Sequence, residues 1–245
     1  MTDEKALLVK CGGKNMAGKL WIIEGTDGAG KATQAKLLID KLNKSDLVKP
    51  DEAHLWTFPN YKVKPFGPLL RDYLNGFFGG IDDVSPYFAC MLYALDRWQD
   101  ATKMQSILEL NDWIVCDRYT TSNIVFQPMR IREAEAREKL IEWVQDLEYN
   151  RFKLPKPNGV IFLSLPPEYT LKRTQERRKL DGEGTGKTAK KDIHEDNELF
   201  VRNVFHQYHI LAKRYGWHTI DCVENNRELA REEIAEKVWD IVSKN

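Results

Sequence analysis

Gly25-Thr26-Asp27-Gly28-Ala29-Gly30-Lys31 has the spacing GxxxxGK. Glycines let consecutive backbone N–H groups turn inward onto phosphate oxygens. A helix that starts at such a loop adds the positive end of its dipole. Lys31 supplies a mobile point charge for the β- and γ-phosphates of a nucleotide. The flanks are those the motif needs: an apolar strand, Leu20–Glu24, leads in, and an amphipathic helix, Lys31–Leu42, leads out. A glycine-rich turn that merely capped a helix would require neither the strand nor the lysine. The next position departs from the pattern. Ala32 stands where a Ser or Thr would touch Mg²⁺, and Thr33 comes one residue late, about 100° further round the helix. The phosphate cradle of Gly25, Gly28, Ala29, Gly30 and Lys31, with Ala32 and Thr33 opening the helix, is intact. The metal must rely on water, nucleotide oxygens and an acid elsewhere.

Asp117-Arg118-Tyr119 follows a second apolar strand, Trp113–Cys116. In open parallel sheets, ligands sit beyond the carboxyl ends of the strands. A strand ending in Asp-Arg would therefore share a crevice with the phosphate loop. Asp117 can hold magnesium, directly or through water, and Arg118 can clamp a phosphate with two N–H groups. Without the phosphate loop, the same pair would read as a surface ion pair. A third pair, Tyr93 and Arg97, stands four residues apart on one helix face. An aromatic plate beside a guanidinium suits a base and a phosphate, and the same spacing also serves ordinary helix packing.

These groups need elements to position them. The strands Leu20–Glu24, His54–Phe58, Trp113–Cys116, Gly159–Leu165 and His218–Cys222 alternate with helical patterns. Those patterns cover Lys31–Leu42, Gly67–Leu74, Tyr87–Leu108, Arg132–Tyr149, Glu168–Lys179, Asn197–Tyr215 and Arg227–Val242. Strands separated by helices imply right-handed βαβ crossovers and a parallel sheet covered on both faces, an α/β sandwich. Residues 1–17 read as an extension, and 18–245 as one domain. Asp181–Asp192 is its one glycine-rich basic loop.

Composition narrows the classes. The 245 residues are 42% hydrophobic, with 37 basic and 37 acidic side chains, so the chain is neither disordered nor a broadly basic binder of nucleic acid. No apolar run approaches the ~20 residues of a membrane span. The four cysteines have no CxxC pair, which fits a reducing cytoplasm rather than a disulfide scaffold.

The segments Gly25–Gln34, Phe58-Pro59, Tyr93–Arg97 and Asp117–Gln127 resemble the thymidylate kinase family in order and spacing, from Lys19 onward. Asp192-Ile193-His194-Glu195 is similar to the end of that family's lid. The resemblance implies a P-loop three-layer α/β/α fold with a five-stranded parallel sheet and a helical lid, here at about 177–195. It implies transfer of the γ-phosphate of ATP to dTMP with Mg²⁺, and a homodimer. Lys31 then steadies the transferring phosphate and Asp27 organises the acceptor end. Arg118 and Arg97 hold the acceptor phosphate and base edge, Tyr93 stacks on thymine, and Asn123 bonds the pyrimidine edge. Ser122 and Gln127 line the pocket, and Phe126 lies against the sugar 2′ position. Gly28 places the chain among members whose catalytic arginine is in the lid. Arg177 matches the arginine against adenine, with Lys187 and Lys190 among the cations that close on the γ-phosphate. The loop Phe58-Pro59-Asn60-Tyr61 matches a cis-proline turn, but Lys62 and Lys64 stand near the place of a usual arginine. That substitution leaves a related kinase with another nucleoside or nucleotide acceptor as the alternative. A non-catalytic nucleotide switch would leave Tyr93, Arg97, Arg118 and Asn123 without a task.

Overall fold

The structure, a computed structural model, describes residues 18–80, 82–185 and 198–245, and the side chains of the middle segment as far as residue 176. The extension 1–17, the side chains of Arg177, Lys187 and Lys190, and the segment Asp192–Glu195 lie outside these residues. Five strands form one parallel sheet: β1 (Leu20–Gly25), β2 (Ala53–Thr57), β3 (Trp113–Asp117), β4 (Gly159–Ser164) and β5 (His218–Asp221), in the order β2-β3-β1-β4-β5. Helices cover both faces, so the central strands read as unbroken apolar runs rather than alternating ones. Trp21 and Ile23 of β1 face α1 (Lys31–Leu42) and a C-terminal helix, Arg231–Val242. Leu20 and Ile22, one step out of phase, face the other layer.

That other layer departs most from the sequence pattern. The single helix expected over Tyr87–Leu108 is two, α3 (Pro86–Trp98) and α4 (Ala101–Glu109), after α2 (Phe66–Leu74). The break at Gln99-Asp100 carries no Gly or Pro. It lets α4 turn back so that Ala101 and Met104 cover Ile114 and Cys116 of β3. After β3 comes α5 (Thr120–Phe126), running into a 3₁₀ turn at Gln127–Arg130. Its β-branched sequence TTSNIVF has poor helix propensity, and burial of Ile124 and Val125 carries it instead. The helix expected over Arg132–Tyr149 is α6 (Ala134–Gln145), which widens into a π-helical turn at Asp146–Arg151. Helix α7 (Pro167–Thr185) follows β4, and α8 (Glu198–Tyr215) precedes β5. A hairpin of β6 (Val223–Glu224) and β7 (Arg227–Glu228) precedes α9 (Arg231–Val242). Its turn, Asn225-Asn226, has φ of 52° and 59°, the left-handed pair that a two-residue hairpin needs.

Candidate active site

Three loops meet at the carboxyl edge of the sheet. Asp117 pairs with Ile23 of β1 on one side and Thr57 of β2 on the other. The lacing continues past the strands. Arg118 N donates to Ile23 O at 3.1 Å, and Phe58 N to Asp117 O at 3.0 Å. Arg118 has φ 65°, which turns the chain sharply from β3 into α5. Its guanidinium reaches the Asp27 carboxylate, donates to Ser122 Oγ at 3.3 Å, and lies 5.1 Å from the Phe126 ring centre. The phosphate loop and the Asp-Arg-Tyr segment are thus joined through one ion pair.

The loop has the shape its glycines allow. Gly28 and Gly30 have φ of 80° and 91°, and Gly30 begins α1 with no side chain capping the helix. The first-turn N–H groups are therefore not claimed by a capping side chain. Lys31 is buried and folds back, its Nζ donating to Thr26 O at 2.9 Å and standing 3.8 Å from Asp27 Oδ1. Burial, and then the Arg118 charge, pull its pKa down to about 8 against the opposing pull of Asp27. Beside it, Asp117 is 8% exposed, and its Oδ1 has no partner among the described residues. Burial pushes the Asp117 carboxyl above its ordinary range, with Lys31 and Arg118 pulling the other way. An orphaned, buried carboxylate oxygen of this kind fits a bound cation or its water. Ala32 and Thr33 are exposed and line the same opening.

Two cavities flank the ion pair. One, about 330 Å³, is lined by Gly28, Gly30, Lys31, Ala32, Thr33 and Asp117, together with Asp27, Arg118, Phe58, Pro59 and Tyr61. The other, about 180 Å³, shares the last five and adds Tyr93, Arg97, Ser122, Asn123, Phe126 and Gln127. Most of the residues singled out in the sequence line one or both of these cavities; Gly25 and Ala29 lie in the phosphate loop without lining either, and Arg177, Lys187 and Lys190 fall outside the described side chains. Lys62 is exposed and lines neither cavity. A different cation engages this loop: Arg71 of α2, whose Nη2 donates to Tyr61 O at 2.5 Å. From the other side, Asp96 Oδ2 accepts Asn60 N at 2.9 Å. Gly67 completes the support, because a Cβ there would lie 2.1 Å from Asn60 O. Phe58–Pro59 is cis, and so is Lys64–Pro65.

The polar groups of the second cavity are held from behind. Arg97 is 2% exposed and donates through Nε and Nη2 to Glu148 at 2.6 and 2.7 Å. Burial works against its charge, but Glu148 outweighs burial and raises its pKa. Asn123 Nδ2 donates to Glu148 Oε1 and to Cys90 O. Gln127 Oε1 accepts from Arg130 at 2.9 Å, which leaves the amide nitrogen as its donor. Ser122 is a strut rather than a free ligand, since its Oγ donates to the Glu24 carboxylate at 2.8 Å.

A model of the family described as "Thymidylate kinase" matches residues 23–234. The chain belongs to the thymidylate kinase family. It is 31% identical over 159 residues to the thymidylate kinase of Mycobacterium tuberculosis, covering 65% of this chain and 72% of that protein. To the thymidylate kinase of Plasmodium falciparum it is 28% identical, over 71% of this chain and 70% of the other. The solved structure of thymidylate kinase from Candida albicans matches with a TM-score of 0.68 at 24% identity, covering 94% of this chain and 92% of that one, a likeness of fold.

Besides Arg71, three residues near the site escape the sequence reading. Glu24 is fully buried at the end of β1 and accepts from Tyr119 N, Thr121 Oγ1, Ser122 Oγ and Tyr208 Oη. An acid closing an apolar strand was a legible signal. Arg173 of α7 donates to Gly28 O at 2.7 Å and pairs with Glu228, tying α7 to the phosphate loop. Glu148 gave no signal, being one acid among many on a charged helix.

Proposed function

We propose that this protein transfers the γ-phosphate of ATP to the 5′-phosphate of dTMP, yielding dTDP and ADP. One observation carries the reading: the cavity of the phosphate loop and the cavity with the aromatic, guanidinium and amide groups meet at the Asp27–Arg118 pair. A donor in the first and an acceptor in the second present their phosphates to each other across that pair. An oxygen of the acceptor phosphate attacks the γ-phosphorus as the bond to the β–γ bridging oxygen breaks. That oxygen is already ionised, so no strong general base is needed, and positioning and charge stabilisation do the work.

Lys31 leaves the Thr26 carbonyl for the β- and γ-phosphates, and Arg118 holds the acceptor phosphate with Asp27 fixing its orientation. Arg97 and Asn123 meet the base edge, Tyr93 and Phe58 flank the base, and Phe126 packs against the sugar. Gly25, Ala29 and Gly30 shape the cradle, and Gln127 offers its amide nitrogen. Asp117 would hold Mg²⁺, which when bound neutralises developing charge on the phosphates. We read residues 18–245 as one unit with its lid at about 177–195, where Arg177, Lys187 and Lys190 would meet the nucleotide. Among the described residues, no helix is long and apolar enough to cross a membrane, and Cys90, Cys116 and Cys222 are free and buried. These support a cytoplasmic protein. A homodimer is supported by the exposed Tyr87, Met91 and Trp98 on α3.

The test is a panel of acceptors with ATP–Mg²⁺: dTMP, dUMP, dCMP, dGMP and thymidine. The expected result is a kcat/KM for dTMP above the rest. A higher value for thymidine or for another monophosphate would overturn the reading.

A further inference from the structure

Glu148 lies outside both cavities, yet it bonds two of the polar side chains that line the second, Arg97 and Asn123. Its carboxylate is 0% exposed and sits in the π-helical turn, whose extra residue swings it off the surface of the charged helix into the interior. Oε2 accepts from Arg97 Nε and Thr120 Oγ1, at 2.6 and 2.8 Å. Oε1 accepts from Arg97 Nη2 and Asn123 Nδ2, at 2.7 and 2.9 Å. The second hydrogen of Asn123 Nδ2 goes to Cys90 O at 3.0 Å.

An ionised carboxylate accepts only, and so does a carbonyl. The Asn123 amide therefore has no choice of orientation: its nitrogen faces Glu148 and Cys90, and its oxygen is turned away. That Oδ1 is buried, has no partner among the described residues, and belongs to a side chain lining the cavity. Arg97 has five N–H groups, of which two go to Glu148 and three do not. The groups that Glu148 leaves unclaimed on these two cavity-lining side chains are thus an acceptor on Asn123 and donors on Arg97. A thymine edge presents N3–H, a donor, beside O4, an acceptor, and it matches. A cytosine edge presents a bare N3 and an amino group, which is the reverse. It would leave Asn123 Oδ1 and the Arg97 donors unpaired in a buried site, the kind of mismatch that discriminates strongly.

We propose that Glu148 is the positioning residue that sets base specificity, by locking the Asn123 amide so that its oxygen faces the base and by holding Arg97 beside it. This rests on the activity proposed above. The observation on which it stands is independent of that activity: one buried carboxylate shared by two cavity-lining side chains that do not bond each other.

Glu148→Gln tests it. The change puts an N–H₂ donor where one of the two acceptors stood, so Asn123 Nδ2 loses or is opposed in its bond to residue 148, only Cys90 O still holds the amide, and Arg97 loses one of its two carboxylate oxygens. The expected result is a fall of at least tenfold in the ratio of kcat/KM for dTMP to that for dCMP. The loss on dTMP falls mainly in KM, with the KM for ATP changed less than twofold. Calorimetric binding of dTMP and dCMP gives the same ratio without turnover. Thr120→Val removes one donor to Glu148 and keeps the charge pair, so it folds with a modestly lower melting temperature and lowers the ratio by a smaller factor. If Glu148→Gln does not fold, Thr120→Val decides. A ratio unchanged in every variant that folds, with both acceptors weakened alike, reduces Glu148 to a structural ion pair and overturns the inference alone. Wild-type protein that does not favour dTMP overturns the proposed activity and this inference with it.

Discussion

Lys31 waits for its ligand in an unfavourable state. It is buried, its neighbour Arg118 carries the same charge, and its ion-pair partner Asp27 stands 3.8 Å off, so it releases its proton near pH 8 rather than near 10.5. Phosphate oxygens favour the charged form, so a bound nucleotide raises that value again. The expected outcome is a kcat/KM for ATP that falls with a limb near pH 8, which reports the free enzyme, while the limb in kcat lies higher. Superposed limbs would show that the nucleotide does not meet Lys31. Stability follows the same group with a definite sign. Between about pH 8 and 10.5 the unfolded chain holds a proton that the folded chain has lost, so stability contributed by this group climbs with pH. Below pH 8 both states are protonated and the cost of burying the charge is constant. Thiols and phenols such as Cys222 and Tyr208, raised by burial, act in the opposite direction at alkaline pH. The measurement is therefore the difference between wild type and Lys31→Met in urea unfolding from pH 7 to 10. Wild type gains on the variant by up to roughly 3 kcal/mol across the window.

At the scale of elements, what was legible in the sequence is what local pattern controls. Strand β1, the glycine loop and helix α1 follow from apolar run, glycines and periodicity, and the Asp-Arg-Tyr turn follows from a strand that ends in charge. What was not legible depends on distant contacts. The α3–α4 break has no breaker residue, α5 forms against its own propensity, and Glu148 becomes buried only because a π turn rotates it inward. The cation of the Phe58–Tyr61 loop shows the same limit, since Arg71 reaches it from the next helix while Lys62 beside it faces solvent. That loop is also the clearest case of one element positioning another. Helix α2 approaches so closely that a Cβ on Gly67 would fall 2.1 Å from Asn60 O, and the obstacle is backbone, which cannot rotate aside. Gly67→Ala must therefore displace the loop or the helix, at a cost of roughly 1–3 kcal/mol. The expected kinetic signature is a dTMP KM raised about tenfold and an ATP KM raised by less, because Phe58, Pro59 and Tyr61 line both cavities while the phosphate loop still lines the nucleotide side. Equal rises in both constants would place the loop's role elsewhere.

At the scale of the molecule, helix α3 serves two surfaces. Tyr93 and Arg97 line the cavity proposed for the acceptor, while Tyr87, Met91 and Trp98 form a stripe within about 40° of one another on a different side of the helix. Trp98 packs against Phe66 of α2 and Phe152, and Tyr87 against Trp143 of α6, so the stripe is fixed in place by its neighbours yet remains 37–46% exposed. Large apolar side chains held rigidly at a surface are the material of an interface, and a two-fold axis would let the stripe meet its own copy. If it does, the partner braces the same helix that carries Arg97, and assembly supports acceptor binding. Met91→Lys puts a charge at the centre of the stripe without touching the cavity wall. Sedimentation equilibrium should then show a monomer where the wild type is a dimer, and the dTMP KM should rise several-fold more than the ATP KM. A wild type that sediments as a monomer ends the argument for self-association. A monomeric variant with wild-type constants would show that α3 holds Arg97 without help from across the axis.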